Sequence, residues 1–430
     1  MKVATNYTYD SVSHLLSVLH QAGSSTLDGA CYTYDYAGNR TSKINYLNGT
    51  TSTYGYDAIY ELLQVTQGGG TTESYSYNAV GNRLSSLGMN SYSYNTSNEL
   101  TATSNGSYTY DANGNTLNDA QGRSFNWDFE NRLTQVVNPG VGTTTFRYDP
   151  FGRRIQKSGP LGTTNYLYDV RNLMQEVDNS GNVLAKYTQG GGVDEPFSEL
   201  RSGTASYYEQ DGIGSSTSLS NSVGGLANTY VYDSFGKLTG STGTLTNPFQ
   251  YTSREFDSET GMYSYRARYY DPAIGRFTSE DPIGFSGGVN FYEYVRNSPV
   301  LLVDPLGLRW TNTGVPAPPN TNTIVCNGLG GINIQIGTDN GMGDLHCLYT
   351  CLWAHEERHW QDAIAANPAV CHMAAAGVQV VANTQEITAS EIAAYHAELN
   401  CLRGMQQHGC GKCKQAVQQR INQIRQHGYR

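Results

Sequence analysis

The first 308 residues of this 430-residue chain are almost without histidine and cysteine. His14, His20 and Cys31 are the only ones there, whereas seven His and seven Cys follow. That scarcity excludes a disulfide framework and a histidine-built metal centre from the longer part. Basic residues are also short, 27 Lys and Arg against 37 Asp and Glu. After residue 308 the count is eight against eight, so the whole formal charge of −10 belongs to the first 308 residues. Neither part offers the basic surface that phosphates demand, so nucleic acid and anionic membrane are not expected as partners. No apolar run approaches the ~20 residues of a membrane span. The opening "MKVATNYTYD" has no apolar core like that of a signal peptide, so export would need another route. Tyrosine is what the first part has in excess: of 33, only Tyr349, Tyr395 and Tyr429 come after residue 308. Two chemically different modules are joined, and a chain of this length is expected to form two or more domains.

The tyrosines belong to a repeat. Aromatic-x-aromatic-Asp/Asn recurs as "YTYD" (7–10 and 32–35), "YGYD" (54–57), "YSYN" (75–78 and 92–95), "YTYD" (108–111), "FRYD" (146–149), "YLYD" (166–169) and "YVYD" (230–233). Several continue into Gly-Asn-Arg or a variant, as in "YAGNR" (36–40) and "PFGRR" (150–154). Alternating aromatics separated by Ser or Thr predict short strands, and the Asp/Asn-x-x-Gly that follows predicts the turn ending each one. Units of about twenty residues stack, each burying its face on the next.

These units resemble the YD repeats of the Rhs and teneurin type. The stretch "GMYSYRARYYDPAIGRFTSEDPIGFSGGVNFYEYVRNSPVLLVDPLGL" (261–308) is similar to the Rhs core segment over essentially its whole length. The resemblance implies a hollow β-shell, closed by the core segment, that carries a variable terminal toxin and frees it by self-cleavage after the final Leu. A full shell of the family is several times longer, so the chain is expected to be a truncated cage or a piece of a larger protein. Asp281 in "SEDP" and Asp304 in "VDPLGL" correspond to the family's paired carboxylates, with Leu308–Arg309 as the bond and Arg276 in "GRF" as a lesser participant. Two Asp brought together can split their pKa values, so that one activates water while the other protonates the carbonyl. Each Asp-Pro step is equally an ordinary turn opener.

Beyond the Pro-rich linker "VPAPPN" (315–320) stands "HEERH", His355 to His359. In H-E-x-x-H two His one helical turn apart present imidazoles to one Zn²⁺, and the Glu, here Glu356, reaches the metal-bound water as general base. Asp344 is placed to cap a helix whose stripe Leu345, Leu348, Leu352 continues onto His355 and His359. A third ligand is sought in "TASEIAAYHAELNCL" (388–402), where Glu391, Tyr395 and Glu398 share one helical face. Glu391 is the first choice, although Thr388-Ala-Ser-Glu391 is also a capping box. Glu398 comes next, then His396 and Asp362. The seven late cysteines predict disulfides, and with them an oxidising compartment such as a periplasm or the cell exterior.

"HEERHWQD" with the later "SEIAAY" is similar to the zinc metallopeptidase toxins at the ends of Rhs proteins. That likeness implies His355, His359 and Glu391 as zinc ligands, Glu356 as base and Tyr395 as oxyanion support. The architecture expected is therefore multidomain: an all-β YD-repeat shell over 1–243, an Rhs core over 244–308, and a mainly α, zincin-like metallopeptidase domain over 309–430. The function expected is a secreted or delivered toxin with a peptide or protein substrate in a target cell, a cognate immunity protein and a delivery machinery. The competing reading is a structural or adhesive YD-repeat surface protein whose terminal domain binds zinc and cleaves nothing.

Overall fold

A computed structural model describes residues 3–10, 14–193, 195–312, 323–326, 332–335 and 421–422. The chain divides into two compact units, Met1–Gly314 and Val315–Arg430. Of the mainly α domain expected over 309–430 the described residues include only short pieces, among them the antiparallel strands Thr323–Cys326 and Ile332–Gln335, and the expected helix from Asp344 lies outside them. Among those described, no helix is long and apolar enough to cross a membrane.

The first unit is the β-shell that the repeats predict. Within each sheet its strands follow one another in a meander, each hydrogen-bonded antiparallel to its neighbours in sequence. Eight strands run from Val3–Tyr9 to Arg83–Ser86, three from Tyr92–Tyr94 to Gly106–Ser107, and fourteen from Thr109–Tyr110 to Leu238–Thr242. A separate four-stranded sheet, Glu255–Asp257 to Arg276–Phe277, belongs to the core segment.

Most of the repeats build the same corner, at Asp35, Asp57, Asn78, Asp111, Asp149 and Asp233 among others, whereas Asp169 pairs with Asn172 across a shorter hairpin. The Asp149 carboxylate accepts the N–H groups of Phe151 and Arg153, both at 2.9 Å, and the Arg153 Nε at 2.7 Å. Its own N–H and C=O meanwhile pair with Arg153 O and Gly152 N. Gly152 sits at φ +78°, a conformation that glycine adopts without strain. One residue before the turn the strand register shifts, between Arg147 and Tyr148 here and at Gly55/Tyr56, Ser76/Tyr77 and Leu167/Tyr168 elsewhere. Such a bulge re-aims the second aromatic of the motif. Its hydroxyl then reaches back a repeat: Tyr56 donates to Arg40 O at 2.6 Å, Tyr77 to Leu62 O at 3.0 Å and Tyr148 to Leu133 O at 2.7 Å. The first aromatic faces inward and receives the arginine that closes Gly-Asn-Arg, with Arg40 3.9 Å above the Tyr32 ring and Arg83 4.6 Å above Tyr75.

The core segment supplies the densest packing. Tyr263, Tyr265, Tyr270 and Tyr294 are wholly buried. None of their hydroxyls is left without a partner: Tyr263 donates to Gly236 O, Tyr270 to Phe235 O, and Tyr265 pairs with Tyr294. Arg154 of the shell ties the four-stranded sheet in place through Glu255, at 2.6 Å, and Asp257.

Candidate self-cleavage site

Two turns and one strand of the core segment converge on a buried arginine. Arg268 lies on the strand Arg268–Asp271 and is 3% exposed. Its guanidinium stacks 3.6 Å over the Phe277 ring. Nε donates to Gly307 O at 2.5 Å and Nη1 to Phe291 O at 2.8 Å. Nη2 faces two carboxylates, Asp281 Oδ2 at 2.9 Å and Asp304 Oδ2 at 3.5 Å. An arginine fork of fixed planar geometry thus holds both acids and the carbonyl next to Leu308.

Both Asp-Pro steps are turns, and both carboxylates also meet. Asp281 Oδ1 accepts the Ile283 N–H at 3.0 Å, and its C=O receives Gly284 N. Asp304 Oδ1 accepts three backbone N–H groups: Leu306 at 3.3 Å, Leu308 at 3.0 Å and Arg309 at 3.1 Å. The last is the nitrogen of the expected scissile bond. Burial pushes the Asp281 carboxyl up to about 6, with the Asp304 charge adding to the rise and Arg268 opposing it. Burial likewise lowers the Arg268 guanidinium below its ordinary value.

Asp281 and Asp304 are brought together at Arg268. Arg276 is not with them: it donates to Asn82 Oδ1 at 3.0 Å and to Asn98 O at 2.7 Å, between the Tyr94 and Tyr292 rings. Its work is to hold core to shell. Arg268 was missed in the sequence, where "YRARYYD" offers two arginines within a strand signal and nothing that ranks them. His355, Glu356, His359, Glu391 and Tyr395 lie outside the described residues. Among the described residues no group of three or more His, Cys, Asp or Glu is placed to hold a metal.

With this geometry in view, the family follows from comparison. Residues 33–300 match the teneurin YD-shell family model. The chain belongs to the teneurin YD-shell family. It is 35% identical over 310 residues, 70% of its length, to the tRNA nuclease WapA of Bacillus subtilis (strain 168). It is 29% identical over 338 residues to the double-stranded DNA deaminase toxin A of Burkholderia cenocepacia (strain H111). The YD-shell chain spans only 12% and 22% of the lengths of these relatives. The crystal structure of TcdB2-TccC3-Cdc42 shares the fold with a TM-score of 0.60, 24% identity, and coverage of 71% of this chain and 18% of that one.

These relatives correct two expectations. A zinc metallopeptidase is at odds with proteins named as a tRNA nuclease and a DNA deaminase toxin. The physical reason is that H-E-x-x-H fixes two imidazoles and a carboxylate about a metal, which does not fix the bond attacked. The exclusion of nucleic acid fails as well. The −10 charge on which it leaned belongs wholly to the first 308 residues, and the formally neutral remainder excludes nothing on that ground.

Proposed function

We propose that the shell is a self-cleaving toxin carrier, in which Asp281 and Asp304 hydrolyse the Leu308–Arg309 bond and free the segment that begins at Arg309. The observation that carries this reading is the 3.1 Å contact between Asp304 Oδ1 and the Arg309 N–H, in a site where Arg268 links Asp304 to Asp281. A carboxyl raised by burial, Asp281, supplies a proton donor beside a second carboxyl, Asp304, that faces the nitrogen of the bond.

The step balances as follows. Asp304, acting as carboxylate, takes a proton from a water whose oxygen adds to the Leu308 carbonyl carbon. Asp281, protonated, gives its proton to the carbonyl oxygen as charge develops there. Collapse returns that proton to Asp281 and breaks the C–N bond. The proton on Asp304 passes to the Arg309 nitrogen that it already faces. The products are a carboxyl at Leu308 and an amine at Arg309. Arg268 positions the pair and offsets their mutual repulsion.

The toxin half of the reading is supported by relatives that share the shell and are named as a nuclease and as a deaminase toxin. A delivered toxin implies a target cell, delivery machinery and an immunity protein in the producing cell. Intact mass spectrometry tests the cleavage. The wild-type chain should give two masses, for residues 1–308 and 309–430, and Asp304→Asn should give one of full length. A single full-length mass for the wild type would leave the two Asp-Pro steps as turns alone.

A further inference from the structure

Three glycines lie in the loop between Asp281 and Asn290. Gly284, at φ +57°, and Gly288, at φ +144°, need glycine for their backbone, and a Cβ on either would meet nothing within 4 Å. Gly287 is the reverse. Its φ of −85° and ψ of −23° are right-handed and open to any residue. The space beside it is what a side chain lacks: a Cβ would stand 2.5 Å from Asp281 Oδ2, 3.0 Å from its Cγ and 3.3 Å from the Leu308 carbonyl oxygen. One point beside Gly287 therefore touches both the proposed acid and the carbonyl oxygen of the proposed scissile bond.

We infer that Gly287 is a positioning residue for self-cleavage: its bare Cα keeps open the slot in which the Asp281 carboxyl approaches the Leu308 carbonyl. This rests on the self-cleavage reading and adds to it a residue that touches neither water nor proton. The group a Cβ would displace is the free end of an Asp side chain. A methyl at Gly287 accordingly turns the carboxyl out of the slot while the loop backbone, already in an ordinary conformation, keeps its course.

The experiment uses the full chain, with fragments followed by intact mass and folding by circular dichroism and thermal melts. Gly287→Ala should fold and stay full-length, or cleave at least tenfold more slowly than wild type, whereas Ser286→Ala should cleave normally. The double variant Gly287→Ala/Asp281→Ala should melt close to Asp281→Ala, because the severe crowding, at 2.5 Å from Asp281 Oδ2, has been removed and only the 3.3 Å approach to the Leu308 carbonyl oxygen remains. Cleavage of Gly287→Ala at the wild-type rate would overturn the inference and leave the aspartate pair standing. A double variant that melts far below Asp281→Ala would overturn it too, since glycine would then serve the packing of the loop. A wild type that stays full-length would overturn the self-cleavage reading and this inference together.

Discussion

At the scale of single residues the site turns on which carboxyl holds a proton. Asp281 carries the raised pKa of about 6, mainly because it is buried, and in the proposed step it must be protonated. The rate should therefore fall as pH rises above about 6, approaching tenfold per pH unit once Asp281 is mostly ionised. The measurement is the appearance of the shorter fragment after full-length chain is refolded from denaturant at a series of pH values. A rate that stays level or climbs between pH 6 and pH 8 removes Asp281 as the acid. The pair itself could be read in the sequence, because "SEDP" and "VDPLGL" carry the resemblance to the Rhs core. Arg268 could not. Its importance comes from Gly307, Phe291 and both carboxylates meeting it from separate turns, and no local pattern in "RARYYD" encodes that convergence.

At the scale of the element, the repeat was legible because its chemistry is local. Asp149, Arg153 and Gly152 complete their corner within five residues, so spacing alone specifies it. Asn78 and Asn95 stand at the same place and accept the same two backbone N–H groups through Oδ1. This makes the substitutions at Asp149 unequal. Asp149→Ala leaves two turn N–H groups without their acceptor and should cost about 1–2 kcal/mol, whereas Asp149→Asn keeps that acceptor and should cost well under half as much. Chemical denaturation of both variants in the Asp304→Asn background, where the chain stays whole, measures the difference. Equal losses would mean that the Arg153 contact to Oδ2, and not the backbone turn, is what Asp149 provides.

At the scale of the whole molecule the ribbon closes on itself through side chains, and here the sequence was silent. The second, third and fourth strands of the first sheet meet the region 209–218 across about 170–190 residues of chain. Lys43 pairs with Asp211 at 2.7 Å, Asp28 accepts the hydroxyls of Thr217 and Ser218 at 2.6 Å each, and the Tyr32 hydroxyl accepts the Gly212 N–H at 2.8 Å. Contacts this distant depend on the accumulated twist of many strands, which no window of the sequence contains.

His20 is the titratable member of that seam. Its Nδ1 lies 2.8 Å from Glu209 Oε2 and 3.0 Å from the Thr5 hydroxyl, and its Nε2 lies 2.9 Å from Gln210 O, so the imidazolium can donate to both Glu209 and Gln210. Burial, the largest influence, lowers the His20 pKa. The hydrogen bond and charge of Glu209, with Gln210 O and the Asp28 charge, outweigh it and leave the pKa raised above 6.5. A histidine raised in the folded state contributes its stabilisation fully below 6.5 and loses it as pH climbs through the folded value. His20→Leu should then cost roughly 3 kcal/mol at pH 6, where it strands the buried Glu209 carboxylate, and less at pH 9, as the wild-type ring gives up its proton with rising pH. Denaturation of both chains at the two pH values, again with Asp304→Asn to keep them whole, gives the comparison. An undiminished gap at pH 9 would mean that the seam is held by the shape of the His20 ring and owes nothing to its proton.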